Sequence, residues 1–368
     1  MSGTATRQPV PLLRRAYRRV APLVAVVGVY YAVLVYPPLR LAGLIWPDWQ
    51  PTTGALALVM AGPAAGRLIH EWLPGGPARL LSAAVMTWLG ICFIAFCLIL
   101  PWELLGLVVP WPDRASGIVL LAMLIATTLV GAVNAQRLRL RTLDITLEDA
   151  PARRAAGTTL VQLSDVHVGS RSGRFLGRAV RRANEVDADA VLITGDLVDF
   201  RHISRRVLAP LGELRAPAYF IIGNHERYVD CDDICRRLAE LGVTVLRNAT
   251  VRAGALQIVG IDDAEPKSQV SRVLPGLTPD PDACRVLLYH RPDGARDAAS
   301  WGAHLMLCGH THNGQIVPFN YLVRRVFPRI HGLYDVDGMA LYVSPGTGTW
   351  GPLLRLGSRC EVTVLRLV

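Results

Sequence analysis

Two kinds of apolar run divide the chain. Residues 20–39, 53–69, 80–100 and 117–135 are nearly uncharged stretches, each close to the ~20 residues that cross a ~30 Å hydrocarbon layer as a helix. They predict four transmembrane helices. The second is short and carries Arg67 near its end, where a long side chain can snorkel to the interface; a re-entrant or interfacial segment is its alternative reading. From Leu138 the pattern changes. The Arg-Leu alternation there, running on through Asp144 to Leu147, predicts an edge strand that opens a soluble domain. Short apolar or β-branched runs follow at 159–163, 190–194, 218–222, 256–261, 286–289, 304–307, 339–343 and 362–368, with helical patterns over 175–186 and 234–241. That order reads as β-α-β, so a membrane domain over 1–140 is expected to precede an α/β domain over 141–368.

Composition supports the division: 51% of residues are hydrophobic and mean hydropathy is +0.32, high for a wholly soluble protein. The arginines orient the spans. Arg7, Arg14, Arg15, Arg18 and Arg19 precede the first, Arg67 and Arg79 follow the second, and Arg137, Arg139 and Arg141 follow the last, whereas the opposite loops hold only Arg40 and Arg114. Basic residues beside spans are retained on the cytoplasmic side, so both termini and the soluble domain of this multi-pass protein are expected there. Trp46, Trp49, Trp72, Trp102 and Trp111 fall near the expected interfaces, as an aromatic belt would. A twin-arginine export signal at Arg14-Arg15 is the alternative, but no small-residue cleavage site follows and three further spans do. The net charge of +10 comes almost wholly from arginine, with Lys267 the sole lysine. This surplus gathers at the membrane flanks, where its partner is the anionic bilayer. Nucleic acid is not expected, because no aromatic residues interleave with a basic groove. The seven cysteines form no paired framework and fit a reducing compartment; Cys231 and Cys235 read as neighbours on a helix face rather than zinc ligands.

The chemistry lies where the short runs end. They stop at Ser164-Asp165-Val166-His167, Gly195-Asp196-Leu197-Val198-Asp199, Gly223-Asn224-His225-Glu226, Tyr289-His290 and Cys308-Gly309-His310-Thr311-His312. Open α/β sheets bind ligands at such carboxyl ends. Carboxylate, amide and imidazole together suit borderline divalent ions such as Mn, Fe or Zn, whereas Mg favours oxygen alone and structural Zn favours thiolate.

These five blocks, in this order, resemble the pattern D-x-H, G-D-x-x-D, G-N-H-[DE], H, G-H-x-H of the calcineurin-like metallophosphoesterases, over about residues 141–368. The stretches Gly309 to Gln315, Tyr342 to Gly348 and Arg355-Leu356-Gly357-Ser358 are similar to its membrane-anchored branch. The resemblance implies a four-layer α/β/β/α sandwich with two divalent cations at the strand ends. It also implies that Asp165, His167 and His312 hold one cation, that Asn224, His290 and His310 hold the other, and that Asp196 bridges them. His225 would be the acid that assists the leaving oxygen, while Asp199 and Glu226 orient ligands or cap turns. Two such cations ~3.5–4 Å apart neutralise phosphoryl oxygens and activate water for in-line attack. Many relatives have Ser-His-Asn-Pro-Asp at the fourth block; here it is Tyr289-His290-Arg291-Pro292-Asp293, which leaves substrate preference open.

The expected function is membrane-bound hydrolysis of a phosphoester or pyrophosphate bond. A lipid-linked substrate suits the anchor; soluble phosphomonoesters or cyclic nucleotides are the alternative, and a membrane sensor keeping the metal site without turnover is a different class. Arg171, Arg174, Arg201, Arg227 and Arg291 follow the blocks closely and are candidates for gripping phosphate, Arg291 and Arg227 first. His70, His202, His304 and His331 read as structural or solvated. Residues 319–330, with Arg324, Arg325 and Arg329 among apolar neighbours, read either as a segment resting on headgroups or as a packed loop with a basic edge.

Overall fold

The computed structural model describes residues 12–72, 76–201, 203–265 and 268–368; Arg7, His202 and Lys267 lie outside them. The chain forms two compact units, Met1–Leu68 with Trp88–Ala126, and Ile69–Thr87 with Thr127–Val368.

The first half of the chain is helical: α1 (Leu12–Tyr30), a π-helical turn (Tyr31–Val35), α2 (Tyr36–Ile45), α3 (Thr53–Trp72), α4 (Gly76–Gly106) and α5 (Asp113–Gln136). Pro37 and Pro38 explain the π turn, since neither ring leaves room for, nor can bond, the carbonyl four residues back. Among the described residues, Ala21–Ile45, Arg79–Gly106 and Asp113–Gln136 are long and apolar enough to cross a membrane. The apolar stretch Thr53–Gly66 belongs to α3, whose 20 residues extend about 30 Å at 1.5 Å per residue. Three of the four expected spans are found by this measure, and α3 (Thr53–Trp72) covers the remaining one. In the first unit Leu41, Leu44 and Ile45 of α2 bury against Ala95 and Ile99 of α4 and Leu120 of α5. Gly117 permits the close approach, because a Cβ there would come within 2.9 Å of Leu44 Cβ. Arg40, expected in a loop, lies on α2 and pairs with Glu103 at 2.6 Å.

The second half alternates strand and helix. Its elements are β1 (Leu138–Ile145), α6 (Ala150–Arg153), β2 (Thr159–Leu163), α7 (Gly173–Asn184), β3 (Ala190–Thr194), α8 (Arg205–Leu208), β4 (Ala218–Ile221), α9 (Cys231–Glu240) and β5 (Val243–Val245). They continue with β6 (Ala249–Ala253), β7 (Leu256–Ile261), α10 (Gln269–Val273), β8 (Cys284–Tyr289), α11 (Ala295–Trp301), β9 (Leu305–Cys308), α12 (Phe319–Val326), β10 (Gly332–Val336), β11 (Met339–Val343) and β12 (Cys360–Leu367). Two six-stranded sheets result, in the orders β1-β12-β2-β3-β4-β5 and β10-β11-β9-β8-β7-β6. The period-two alternation of the strands sorts their side chains into separate cores. Leu160, Ala190, Leu192 and Ile221 meet Ile258, Val286, Leu288 and Leu307 between the sheets. Val161, Leu163, Val191 and Ile193 turn outward onto Phe175, Leu176 and Val180 of α7 and Ile234 and Leu238 of α9. On the far side Val259, Leu287 and Met306 meet Val270 of α10 and Ala295 and Ala298 of α11. Helix, sheet, sheet and helix are thus stacked in four layers, and strands buried on both faces read as unbroken apolar runs.

Register fixes which end of the sandwich adjoins α5. β1 runs parallel to β12, with Leu138 opposite Cys360, and β12 runs antiparallel to β2, with Thr363 opposite Gln162. The start of β1, two residues after α5, therefore lies at the same end of the sheet as the carboxyl end of β2. Arg171 and Arg178 hold this junction by donating to the carbonyl oxygens of Ala135 and Gln136, where the helix dipole favours cations.

Candidate metal centre

The five motif blocks emerge from the carboxyl ends of β2, β3, β4, β8 and β9 and converge. Asp165, His167, Asp196, His290 and His312 are buried, while Asn224, His225 and His310 are half-buried. Five of these residues adopt left-handed backbone: Asp165 (φ 52°), His167 (55°), Asp196 (50°), His310 (71°) and His312 (51°). Such strain in non-glycine residues persists only where the surroundings over-determine it, typically at functional sites. The flanking glycines make room. A Cβ on Gly223 would fall 2.2 Å from Asp196 Oδ1, and one on Gly309 would fall 2.1 Å from Asp165 Oδ2.

Glu226, fully buried, buckles two strand ends together. Its Oε1 accepts from the backbone N–H of Leu197 (2.7 Å) and Val198 (2.9 Å), and its Oε2 from Asp196 (2.9 Å) and Gly223 (2.7 Å). Asp199 acts on side chains instead: its Oδ1 takes His167 Nδ1 at 2.6 Å and His225 Nδ1 at 2.9 Å, and its Oδ2 accepts from Ser170 Oγ. Asp165 Oδ1 accepts from the His310 N–H at 3.0 Å, and Asp196 Oδ1 from the His225 N–H at 2.9 Å.

The donor set can be tested for a cation. His290 gives its Nδ1–H to the Thr194 carbonyl at 2.8 Å, so in the neutral ring Nε2 carries the lone pair. That lone pair faces two acceptor oxygens, Asp196 Oδ2 at 3.0 Å and Asn224 Oδ1 at 3.1 Å, with His310 Nδ1 at 3.2 Å beside them. His167 likewise commits Nδ1 to Asp199 and turns Nε2 to His312 Nε2 at 2.9 Å, while His312 Nδ1 accepts from Arg355 at 3.2 Å. Imidazole and oxygen ligand atoms converge in both clusters, a donor set that fits a divalent ion. Asp165, His167 and His312 present ligand atoms within 4.8 Å of one another, as do Asp196, His290 and His310 and, sharing two of these residues, His167, Asp196 and His225.

Protons compete for the same positions. Burial lowers the His290 pKa, but the charge of Asp196 and its hydrogen bond outweigh burial and raise it to about 10. Burial, with the charge of His290 beside it, lowers His310 to about 3, so that its ring stays neutral. For His225 burial is again opposed, by the Asp199 hydrogen bond and the charges of Asp196, Asp199 and Glu226, and the pKa rises to about 9. Burial also opposes ionisation of Asp199, yet the two imidazoles hold it well below the usual carboxylate range.

A calcineurin-like phosphoesterase family model matches residues 158–314, which include all five blocks. A metallophosphoesterase of Aquifex aeolicus is 30% identical over 257 residues, 67% of this chain and 98% of that protein. The chain belongs to the calcineurin-like phosphoesterase family. A Bos taurus protein described as a transmembrane protein with metallophosphoesterase domain is 36% identical over 276 residues, 67% of this chain. A Helicobacter pylori metallophosphoesterase is 35% identical over 225 residues, 57% of this chain. The matched regions span 62% and 59% of those two relatives. With relatives that carry membrane segments and three apolar helices of its own, this phosphoesterase is membrane-associated.

The arginines behave otherwise than expected. Arg227 and Arg291, the first candidates for phosphate, pair with the buried Asp263 at 3.0 and 2.7 Å, and Arg291 also with Glu265 at 2.9 Å. Arg171 turns to α5, Arg201 donates to the Tyr228 carbonyl, and Arg174 is exposed on α7. His304 accepts from the Arg285 N–H and His331 meets Arg141, both structural contacts. Cys231 and Cys235 are neighbours on α9, their sulfurs 3.9 Å apart. Three residues of the phosphoesterase site were not singled out from the sequence. Arg355, fully buried, donates to the carbonyls of His312 (3.2 Å) and Pro345 (2.6 Å) and so holds the His312 turn. Trp350 and Tyr228 set their rings 6.1 and 6.3 Å from that of His225. Neither aromatic carries a pattern that separates it from other loop residues; Arg355 stood in a stretch matched to the family, but its burial was not legible.

Proposed function

We propose that this phosphoesterase hydrolyses a phosphoester or pyrophosphate bond with two divalent cations, on a lipid-linked substrate at the cytoplasmic membrane face. Asp165, His167 and His312 would hold one ion, Asn224, His290 and His310 the other, and Asp196 both; the observation that carries this reading is the convergence of buried carboxylate and imidazole ligand atoms within 4.8 Å of one another. The mixed oxygen and imidazole set suits Mn, Fe or Zn. When bound, the ions would neutralise the phosphoryl oxygens and activate water. The chain's own residues would do the rest. Asp199 fixes the tautomers of His167 and His225, and Glu226 sets the spacing of the Asp196 and Asn224 turns. His225, with its ring partly exposed and its Nε2 4.0 Å from Asp196 Oδ2, is placed to protonate the leaving oxygen.

The lipid-linked substrate is favoured by the junction with α5, which lies at the strand end that carries the ligands, and the cytoplasmic side by Arg137, Arg139 and Arg141 after the last span. The test uses the full chain in proteoliposomes, assayed on a phospholipid panel, a nucleotide panel and bis-p-nitrophenyl phosphate with each metal. Turnover that is abolished by a chelator and restored by one of the ions supports the reading. Two ions bound per chain with no turnover of any ester would favour a sensor instead.

A further inference from the structure

We propose that α12, with Trp350, lies in the bilayer interface as a lipid-facing rim of the metal centre, so that a phosphoester headgroup enters from the membrane surface. The substrate half of this statement rests on the function proposed above; the surface itself does not.

Three observations carry it. First, α12 is amphipathic in the wrong sense for a helix covering a water-facing domain. Asn320 and Val323 turn inward, half-buried, while Phe319 is 45% exposed, Tyr321 63%, Leu322 62% and Val326 59%. A surface helix ordinarily buries its apolar stripe and shows polar residues. Second, the exposed basic residues are Arg324 and Arg325 at the end of the same helix, which is the mixture of apolar and cationic side chains that rests on anionic headgroups. Third, this surface continues into the membrane helices. Leu353 N–H donates to Thr87 Oγ1 of α4 at 3.4 Å, and Arg355 N–H donates to the Gly131 carbonyl of α5 at 2.9 Å. The strip from Trp350 to Leu356 that makes these contacts also receives Gln315 Nε2 on its carbonyls, and Val317 N–H donates to the Leu356 carbonyl at 3.0 Å. Only Pro318 separates Val317 from α12, whose eight residues extend about 12 Å. The helix is therefore tethered within one short span of residues that belong to membrane-crossing helices.

The same helix reaches the chemistry. Its first turn lies against the His312 turn, where a Cβ on Gly314 would come 2.3 Å from Asn320 Cα. Phe327, directly after it, sets its ring 5.2 Å from that of His310. Tyr321 and Trp350 are the residue types that anchor at the headgroup level. A second copy of the chain is the rival occupant, but charge and continuity both favour lipid.

The test is photocrosslinking of the full chain in phosphatidylglycerol vesicles that contain an alkyne-tagged phosphatidylglycerol. Leu322→p-benzoylphenylalanine is compared with Asp187→p-benzoylphenylalanine, since Asp187 is exposed just before β3, at the opposite end of the strands from the ligands. Tyr321→p-benzoylphenylalanine is run in parallel in case the first variant does not fold. Side chains held 5–10 Å deep in the interface should give about tenfold more lipid adduct than position 187, and less in phosphatidylcholine. Adduct equal to position 187, or adduct only to another protein chain, would overturn the proposal. Hydrolysis of bis-p-nitrophenyl phosphate by the same vesicles reports on the catalytic reading separately: lipid adduct without hydrolysis would count against that reading alone.

Discussion

Replacing Glu226 by Gln tests whether this carboxylate is a buckle or a ligand. The change is almost isosteric, so cavity and packing effects are small, but one oxygen that accepts two backbone N–H groups becomes an amide that only donates. Either the pair from Leu197 and Val198 or the pair from Asp196 and Gly223 is then left facing a donor. Hydrogen bonds to a charged group contribute ~1.5–3 kcal/mol each, so losing two should cost about 3–6 kcal/mol, a large share of the ~5–15 kcal/mol that holds a domain folded. At about 2–4 °C per kcal/mol for a domain of this size, Tm should fall by about 6–24 °C. The measurement is thermal unfolding of the full chain in detergent after chelation, because bound metal would stabilise the native state by mass action and blur the comparison. A metal-free variant that melts within about 2 °C of the wild type would refute the buckle, since the predicted loss lies well above that. Metal loss in such a variant would make Glu226 a ligand.

Three further outcomes follow from the same geometry. Asp196→Asn should lower metal content as well as rate, because its carboxylate lies against His290 and within reach of the His225 side of the site; elemental analysis showing two ions per chain with normal turnover would contradict the bridging role. His225→Asn should slow hydrolysis by about 10²–10⁴ with metal content unchanged, and more on alkyl than on aryl phosphodiesters, because a good leaving group needs less protonation; equal losses on both would leave only an electrostatic role. A reporter active only after export, fused after Val368, should be silent, whereas strong activity would place the phosphoesterase domain on the outer face.

Legibility differed between levels. The metal-centre blocks were visible because each sits where an apolar run breaks, and both-face burial makes those runs conspicuous. β5 (Val243–Val245), β6 (Ala249–Ala253) and β10 (Gly332–Val336) were not anticipated, since edge and near-edge strands are partly exposed and read as loop. The arginines misled because a guanidinium near a motif has no sequence mark showing which carboxylate it meets. Asp263, which claims both Arg227 and Arg291, lies 36 and 28 residues away from them.

Alone, the sequence determined the local properties: which segments are apolar enough to leave water, which strand ends carry ligand-type side chains, and on which side the arginines weigh. Those follow from composition and period, which are written residue by residue. Only the tertiary structure decided what depends on distant groups meeting. It set His290 Nε2 against Asp196 Oδ2 and His310 Nδ1, brought His167 and His225 onto one oxygen of Asp199, and closed four N–H groups onto Glu226. It also left the apolar side chains of α12 facing out beside the site, and burial of that kind depends on the neighbours the fold supplies rather than on the residue itself.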